Sequence, residues 1–144
     1  MTLLARLAVL AMIVGAFTRS ASAAGIEDAQ AALEVLQRGD FQSAMPLLDK
    51  ALTDQTLPAE TRAAILVYRG NARFMLGQTG AAISDYTAAT EVDPSSVDAL
   101  TNLGAVHEQQ RAYMLALTYH RKAVDISAQK LPTPEGVAAH NNLA

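Results

Sequence analysis

The chain has 144 residues, room for one compact domain or a short repeat array and too little for two domains of ordinary size. Hydrophobic residues make up 51% but aromatic ones only 5%, with no Trp, a mixture that suits closely packed helices and argues against a β-sandwich. A formal net charge of −3 makes a nucleic-acid partner a poor fit, and the absence of Cys removes disulfides and thiolate zinc sites as sources of stability.

Residues 1–23 hold no acidic side chain, one early cation at Arg6, an apolar run from Leu7 to Phe17, and small residues at Ala21 and Ala23. This is the layout of a secretory signal peptide, with cleavage expected after Ala23. The apolar run falls short of the roughly 20 residues needed to cross a bilayer, so no stable membrane insertion is expected after cleavage. Without Arg6 and Arg19 the mature chain carries 9 basic and 14 acidic residues, a net charge of −5. The expected location is outside the cytoplasm: periplasmic in a bacterium, otherwise secreted.

From Gly25 onward the pattern is helical and repetitive. Leu66, Gly70, Ala82 and Ala89 recur 34 residues later as Leu100, Gly104, Ala116 and Ala123. The same frame reaches backward with a shift of 38, from Gly77, Ala82, Tyr86 and Ala89 to Gly39, Ala44, Leu48 and Ala51. The four extra residues fall in the connection Thr53 to Glu60, where Pro58 and its polar neighbours read as a loop followed by a new helix start. Heptads do not persist, and Gly70, Gly77, Pro94 and Gly104 would interrupt the long helices of a coiled coil or plain bundle.

The pattern resembles the tetratricopeptide repeat family, whose unit is a helix, a tight turn and a second antiparallel helix. The best copy is Ala63 to Ser96: Gly70 at the close crossing, Leu76-Gly77 at the turn, Ala82, Ile83, Tyr86 and Ala89 on the second helix, Asp93-Pro94 at the close. The third copy departs at Arg111, where the turn glycine is expected, and at Ser127-Ala128, where the closing proline is missing. In the first copy Asp28, Ala31, Ala32 and Val35 stand in for larger first-helix residues. The resemblance implies an all-α fold, a right-handed superhelical array of antiparallel helix pairs with repeats at 25–58, 63–96 and 97–130. After Lys130, Thr133 and Pro134 mark a helix restart, and Asn142-Leu143-Ala144 echoes Asn102-Leu103-Gly104. Residues 131–144 therefore read as a loop and a partial first helix of a fourth repeat or a capping helix. An apolar Leu143 near the end favours a fragment of a longer repeat protein.

Small side chains at Gly70, Gly104, Ala82, Ala116, Ala89 and Ala123 let paired helices approach closely. Leu66, Ile83, Tyr86, Leu100, Leu103, Val106 and Leu117 fall at helical spacing as the buried face, each fully buried Leu or Ile contributing roughly 1.5–3 kcal/mol.

Chemistry is sparse. His107 and His120 replace aromatic residues that pack two helices of one unit together, which makes them candidate neighbours, but no third metal ligand accompanies them. No nucleophile elbow or glycine-rich phosphate loop is present. Neither catalysis nor a cofactor is expected.

First helices of stacked pairs line a concave side suited to a peptide or partner helix. The family resemblance places Val67, Asn71, Phe74 and Met75 of the second unit there, beside Asp98, Thr101, Asn102, Glu108 and Gln109 of the third. Phe74 and Met75 offer adaptable apolar contact, and the two asparagines can hydrogen-bond an extended main chain. Asn71 and Asn102 also fall in the register of a carboxylate clamp found in part of the family. The clamp's cations are missing, with Val67 in place of a Lys and Ala138 and Asn142 where basic residues would be required. Arg69 and Arg73, one helical turn apart, read as a structural pair with nearby acids. The expected function is a non-catalytic adaptor of the cell envelope that binds a protein or peptide partner. Its rival is a structural protein that self-associates through the C-terminal helix region.

Ala116→Leu, which overpacks a crossing, is expected to destabilise the fold by about 1–3 kcal/mol, read as a lowered thermal midpoint.

Overall fold

Six helices run through residues 24–130, the part of the chain that the computed structural model describes, and no strand occurs among them. The signal-peptide reading of residues 1–23 and the fourth-repeat reading of 131–144 lie outside the described residues. In chain order the helices are α1 (24–37), α2 (Phe41–Leu52), α3 (Ala59–Met75), α4 (Thr79–Val92), α5 (Val97–Gln109) and α6 (Tyr113–Lys130). They form three successive pairs, stacked so that each new pair packs on the one before.

One turn design joins the helices of every pair. Gly77 N–H donates to the Phe74 carbonyl at 2.9 Å and Gln78 N–H to the Arg73 carbonyl at 2.8 Å, the two bonds of a Schellman motif. The same pair of bonds recurs at Gly39 and Asp40, and again at Arg111 and Ala112. The motif needs a left-handed residue at its C′ position. Gly39 (φ 77°) and Gly77 (φ 78°) take it freely, whereas Arg111 takes it (φ 62°) against the steric cost that any Cβ brings.

The connections between pairs use side chains. After α2, Asp54 Oδ1 accepts from Thr56 N–H (2.8 Å) and Thr56 Oγ1 (2.7 Å). Asp93 Oδ1 does the same for Ser95 after α4, at 2.9 and 2.7 Å. These Asx turns end their helices and turn the chain into the next pair, where Ser96 caps α5. Helix α6 spans the 18 residues up to Lys130, where the described residues end.

Within each pair the crossing is set by size matching. An added Cβ on Gly70 would stand 2.5 Å from Tyr86 Cε1, and one on Gly104 would stand 2.5 Å from His120 Cε1. In the first pair the corresponding residues are Ala32 and Leu48, both fully buried in one cluster. Ring side chains thus face Gly, and the slimmer Leu faces Ala. Helix α3 is the hinge of the whole core. Ile65 and Ala72 face the first pair, joining Ala44, Leu48 and Ala51, while Ala63, Leu66 and Val67 join Tyr86, Ala89, Leu103 and Val106 on the other side.

An ion cluster braces the same helix. Asp85, only 4% exposed in its side chain, accepts from Arg69 Nη2 at 2.6 Å and Arg73 Nη1 at 2.8 Å, and Arg69 Nη1 reaches Asp49 of α2 at 2.7 Å. Three successive helices are thereby linked. Burial opposes the charge on Arg69, but the hydrogen bonds to Asp85 and Asp49 outweigh it and raise its pKa. Arg69 and Arg73 are structural, as their spacing suggested.

Leu117 departs from the sequence reading: it is 54% exposed rather than part of the buried face. Its counterpart Ile83 packs on the core that α5 completes, but no helix among the described residues follows α6 to cover Leu117 in the same way.

Urea denaturation of three variants checks this account. Gly70→Ala is expected to cost about 1–3 kcal/mol by overpacking, and Gly104→Ala less, because the partly exposed His120 ring has room to swing away. Arg111→Gly should stabilise the fold by about 1 kcal/mol by relieving the left-handed turn.

Candidate functional site

First helices α3 and α5 lie side by side, and a trough of about 390 Å³ opens between them. Glu60, Ala64 and Tyr68 of α3 form one flank, Val97, Asp98 and Thr101 of α5 the other, with Asp93 and Ser96 of the intervening loop at one end. Two asparagines, Asn71 and Asn102, meet across it. Asn71 Oδ1 accepts from the Tyr86 hydroxyl at 2.8 Å and from Asn102 Nδ2 at 3.0 Å.

That arrangement engages one end of each amide. With its oxygen engaged twice, Asn71 is left with its Nδ2 hydrogens, and Asn102, having donated, is left with its Oδ1. A donor and an acceptor therefore stand next to each other in the trough. Helical pairs in register and a concave face between first helices are the geometry of tetratricopeptide arrays.

Residues 70–110 match the family model described as TPR repeat. The match takes in the end of α3, all of α4 and all of α5 with the start of its turn. Among solved structures, MamA superposes with a TM-score of 0.67 at 18% identity over 76% of this chain, which spans 61% of the MamA chain. The first TPR of Spaghetti (RPAP3) bound to the HSP90 peptide SRMEEVD gives a TM-score of 0.67 at 17% identity, covering 85% of this chain and 97% of that one. The second TPR of the same protein, bound to the same peptide, gives 0.65 at 15% identity, covering 73% and 94%. At these identities the likeness is one of fold. No curated protein matches the sequence significantly.

Of the nine residues that the TPR resemblance put on the concave side, Val67, Asn71, Asp98, Thr101 and Asn102 line the trough together. Val67 is only 6% exposed and serves the core as well, so a hydrophobic residue is needed where the carboxylate clamp has a cation. The other four do not line it. Phe74 packs against the core around Tyr86 and Leu103, Met75 is 61% exposed near the end of α3, and Glu108 and Gln109 are exposed on the last turn of α5.

Tyr68, 38% exposed, belongs to the trough and was not among the expected residues. The signal for it was present: Glu60, Ala64 and Tyr68 follow one another at four-residue spacing on one face of α3.

The histidines serve separate contacts. His107 stacks on Tyr119 with ring centroids 5.5 Å apart and planes 7° from parallel. His120 covers Gly104, its Nε2 lying 3.9 Å from a Glu108 carboxylate oxygen. Among the described residues no three His, Asp or Glu side chains converge on a possible metal position.

Tyr86 links packing to the trough, and its environment is visible in its acidity. Burial, and secondarily the negative charge of Asp85, push its phenol up to about 12. The folded state thus holds this proton more tightly than the unfolded state. Its stabilising contribution is complete below the ordinary tyrosine value of 10.0 and is lost as pH rises from there through about 12. Denaturation midpoints measured across that window should fall for the wild type and fall less for Tyr86→Phe.

Proposed function

We propose that the protein is an exported, non-catalytic adaptor of the cell envelope that holds an extended segment of a partner protein in the trough between α3 and α5. The observation that carries this reading is the pair of amide groups on Asn71 and Asn102 that no hydrogen bond among the described residues engages. An extended main chain presents the N–H donor and carbonyl acceptor of one residue along the same edge, so it can satisfy both groups, which a flat apolar surface cannot. The two RPAP3 domains of similar fold are bound to a peptide, which supports the choice of ligand class. Export rests on the three-part character of residues 1–23. Among the described residues no helix is long and apolar enough to cross a membrane.

Selection from a random peptide display library on the full chain tests the reading. Enriched peptides should bind the wild type at least tenfold more tightly than a Tyr68→Ala, Asn102→Ala variant, a loss consistent with about 1.4 kcal/mol or more. Peptides that bind both proteins equally would place the site elsewhere.

One observation favours a second reading, self-association. Helix α6 exposes Tyr113 (61%), Met114 (79%), Leu117 (54%) and Val124 (65%), more apolar surface than a lone helix face ordinarily leaves to water. Sedimentation equilibrium separates the two, since an adaptor working alone stays monomeric across a hundredfold concentration range and a self-associating protein does not.

A further inference from the structure

We infer that the segment held in the trough is cationic, a stretch of extended chain bearing Lys or Arg. This rests on the adaptor reading and adds the charge of the partner to it.

The sign of the trough follows from how charge is distributed over the helices. Helices α1 and α5 contain no Lys or Arg, while they carry Glu27, Asp28 and Glu34 on the one and Asp98 and Glu108 on the other. The three arginines of α3 are all committed elsewhere. Arg62 donates to the backbone carbonyls of Leu52 and Asp54, and Arg69 and Arg73 hold Asp85. What remains around the trough is Glu60 from α3, Asp98 from α5 and Asp93 at the loop, with no cation among the lining residues. Glu60 and Asp98 are exposed, and they come from opposite flanks.

An acidic or phosphorylated segment entering this space would meet like charge from both flanks, and the cation Lys130 sits at the loop end with its Nζ 3.4 Å from the Ser95 carbonyl. A basic segment finds complementary groups for each of its parts. Its main chain meets the free amide hydrogens of Asn71 and the free amide oxygen of Asn102. The aliphatic stem of a Lys or Arg side chain has Ala64 and Val97 to lie against, and its charged head has the carboxylates of Glu60 and Asp98. The half-exposed Tyr68 ring adds a face that attracts an ammonium or guanidinium group. The HSP90 peptide bound by the RPAP3 domains ends in EEVD, so a similar fold there accepts a segment of the opposite charge.

Three synthetic peptides, identical except for Lys, Gln or Glu at alternate positions, test the inference against the full-length protein. Binding is followed by fluorescence anisotropy and by the side-chain amide resonances of Asn71 and Asn102. The Lys peptide is expected to bind roughly tenfold or more tightly than the Gln peptide and to weaken as salt rises, with the Glu peptide weakest. Glu60→Gln combined with Asp98→Asn should cut the preference for Lys over Gln severalfold, with Asp93 and Tyr68 left to supply the remainder. Both positions are exposed, so an unchanged melting curve certifies the fold of that variant. Asn102→Ala should weaken the Lys and Gln peptides together. Equal binding of Lys and Gln peptides, with both dependent on Asn102, overturns the charge inference and leaves the adaptor reading standing. Tightest binding by the Glu peptide overturns the inference as well. Binding that ignores Asn102 for all three peptides overturns both.

Discussion

The contact on which most of this structure depends is the close approach of Gly70 to the ring of Tyr86. With any Cβ at position 70 the ring would have to move, and the ring is more than packing. Its hydroxyl reaches Asn71, and Asn71 in turn accepts from Asn102 on the next pair. One missing side chain therefore sets the separation of α3 and α4, the orientation of an amide on the concave face, and the polar link from the second pair to the third. The third pair makes the same crossing with Gly104 and His120, but an imidazole has no hydroxyl to send onward, and the first pair uses Ala32 and Leu48, which pack only. The site forms where the crossing residue is a tyrosine.

Charge does the complementary work on the other face of α3. Asp85 is buried between two arginines, a costly arrangement to desolvate that is tolerable because every ionic partner is present and well placed. Hydrophobic residues of similar volume would pack there too, but they would not tie α2, α3 and α4 to one register through directed bonds. The arrangement also removes Arg69 and Arg73 from the ligand side, and that leaves the trough with carboxylates alone.

Much of the fold was readable in the residues because its constraints are local and recur. The spacing of Gly70 and Gly104, the turn glycines Gly39 and Gly77, and the Asp-Pro after α4 each answer a steric demand that few residue types can meet. Arg111 looked like a defect in the repeat, yet the chain makes the same Schellman turn there, since the hydrogen bonds of the flanking helices hold it in place. The site was less legible. Repeat register placed Asn71 and Asn102 on one face, but it carries no information on which amide atom is spent internally, since that depends on a hydroxyl arriving from α4. Phe74 and Met75 were read as groove residues by position. One packs on the core and the other is exposed near the end of α3, because direction around a helix changes by a large step with each residue. Leu117 was read as buried from its match to Ile83, and the match is sound; what differs is the neighbour that would cover it.

The two core clusters touch different faces of α3, and Leu52 at the end of α2 packs against both. A stack connected in this way has the mechanics of a leaf spring, compliant to bending between successive layers and stiff along each one. A chain segment lying across α3 and α5 would act as a splint on one of those joints, so the presence of a partner would be felt as a change in the curvature and elasticity of the array as much as in its contacts.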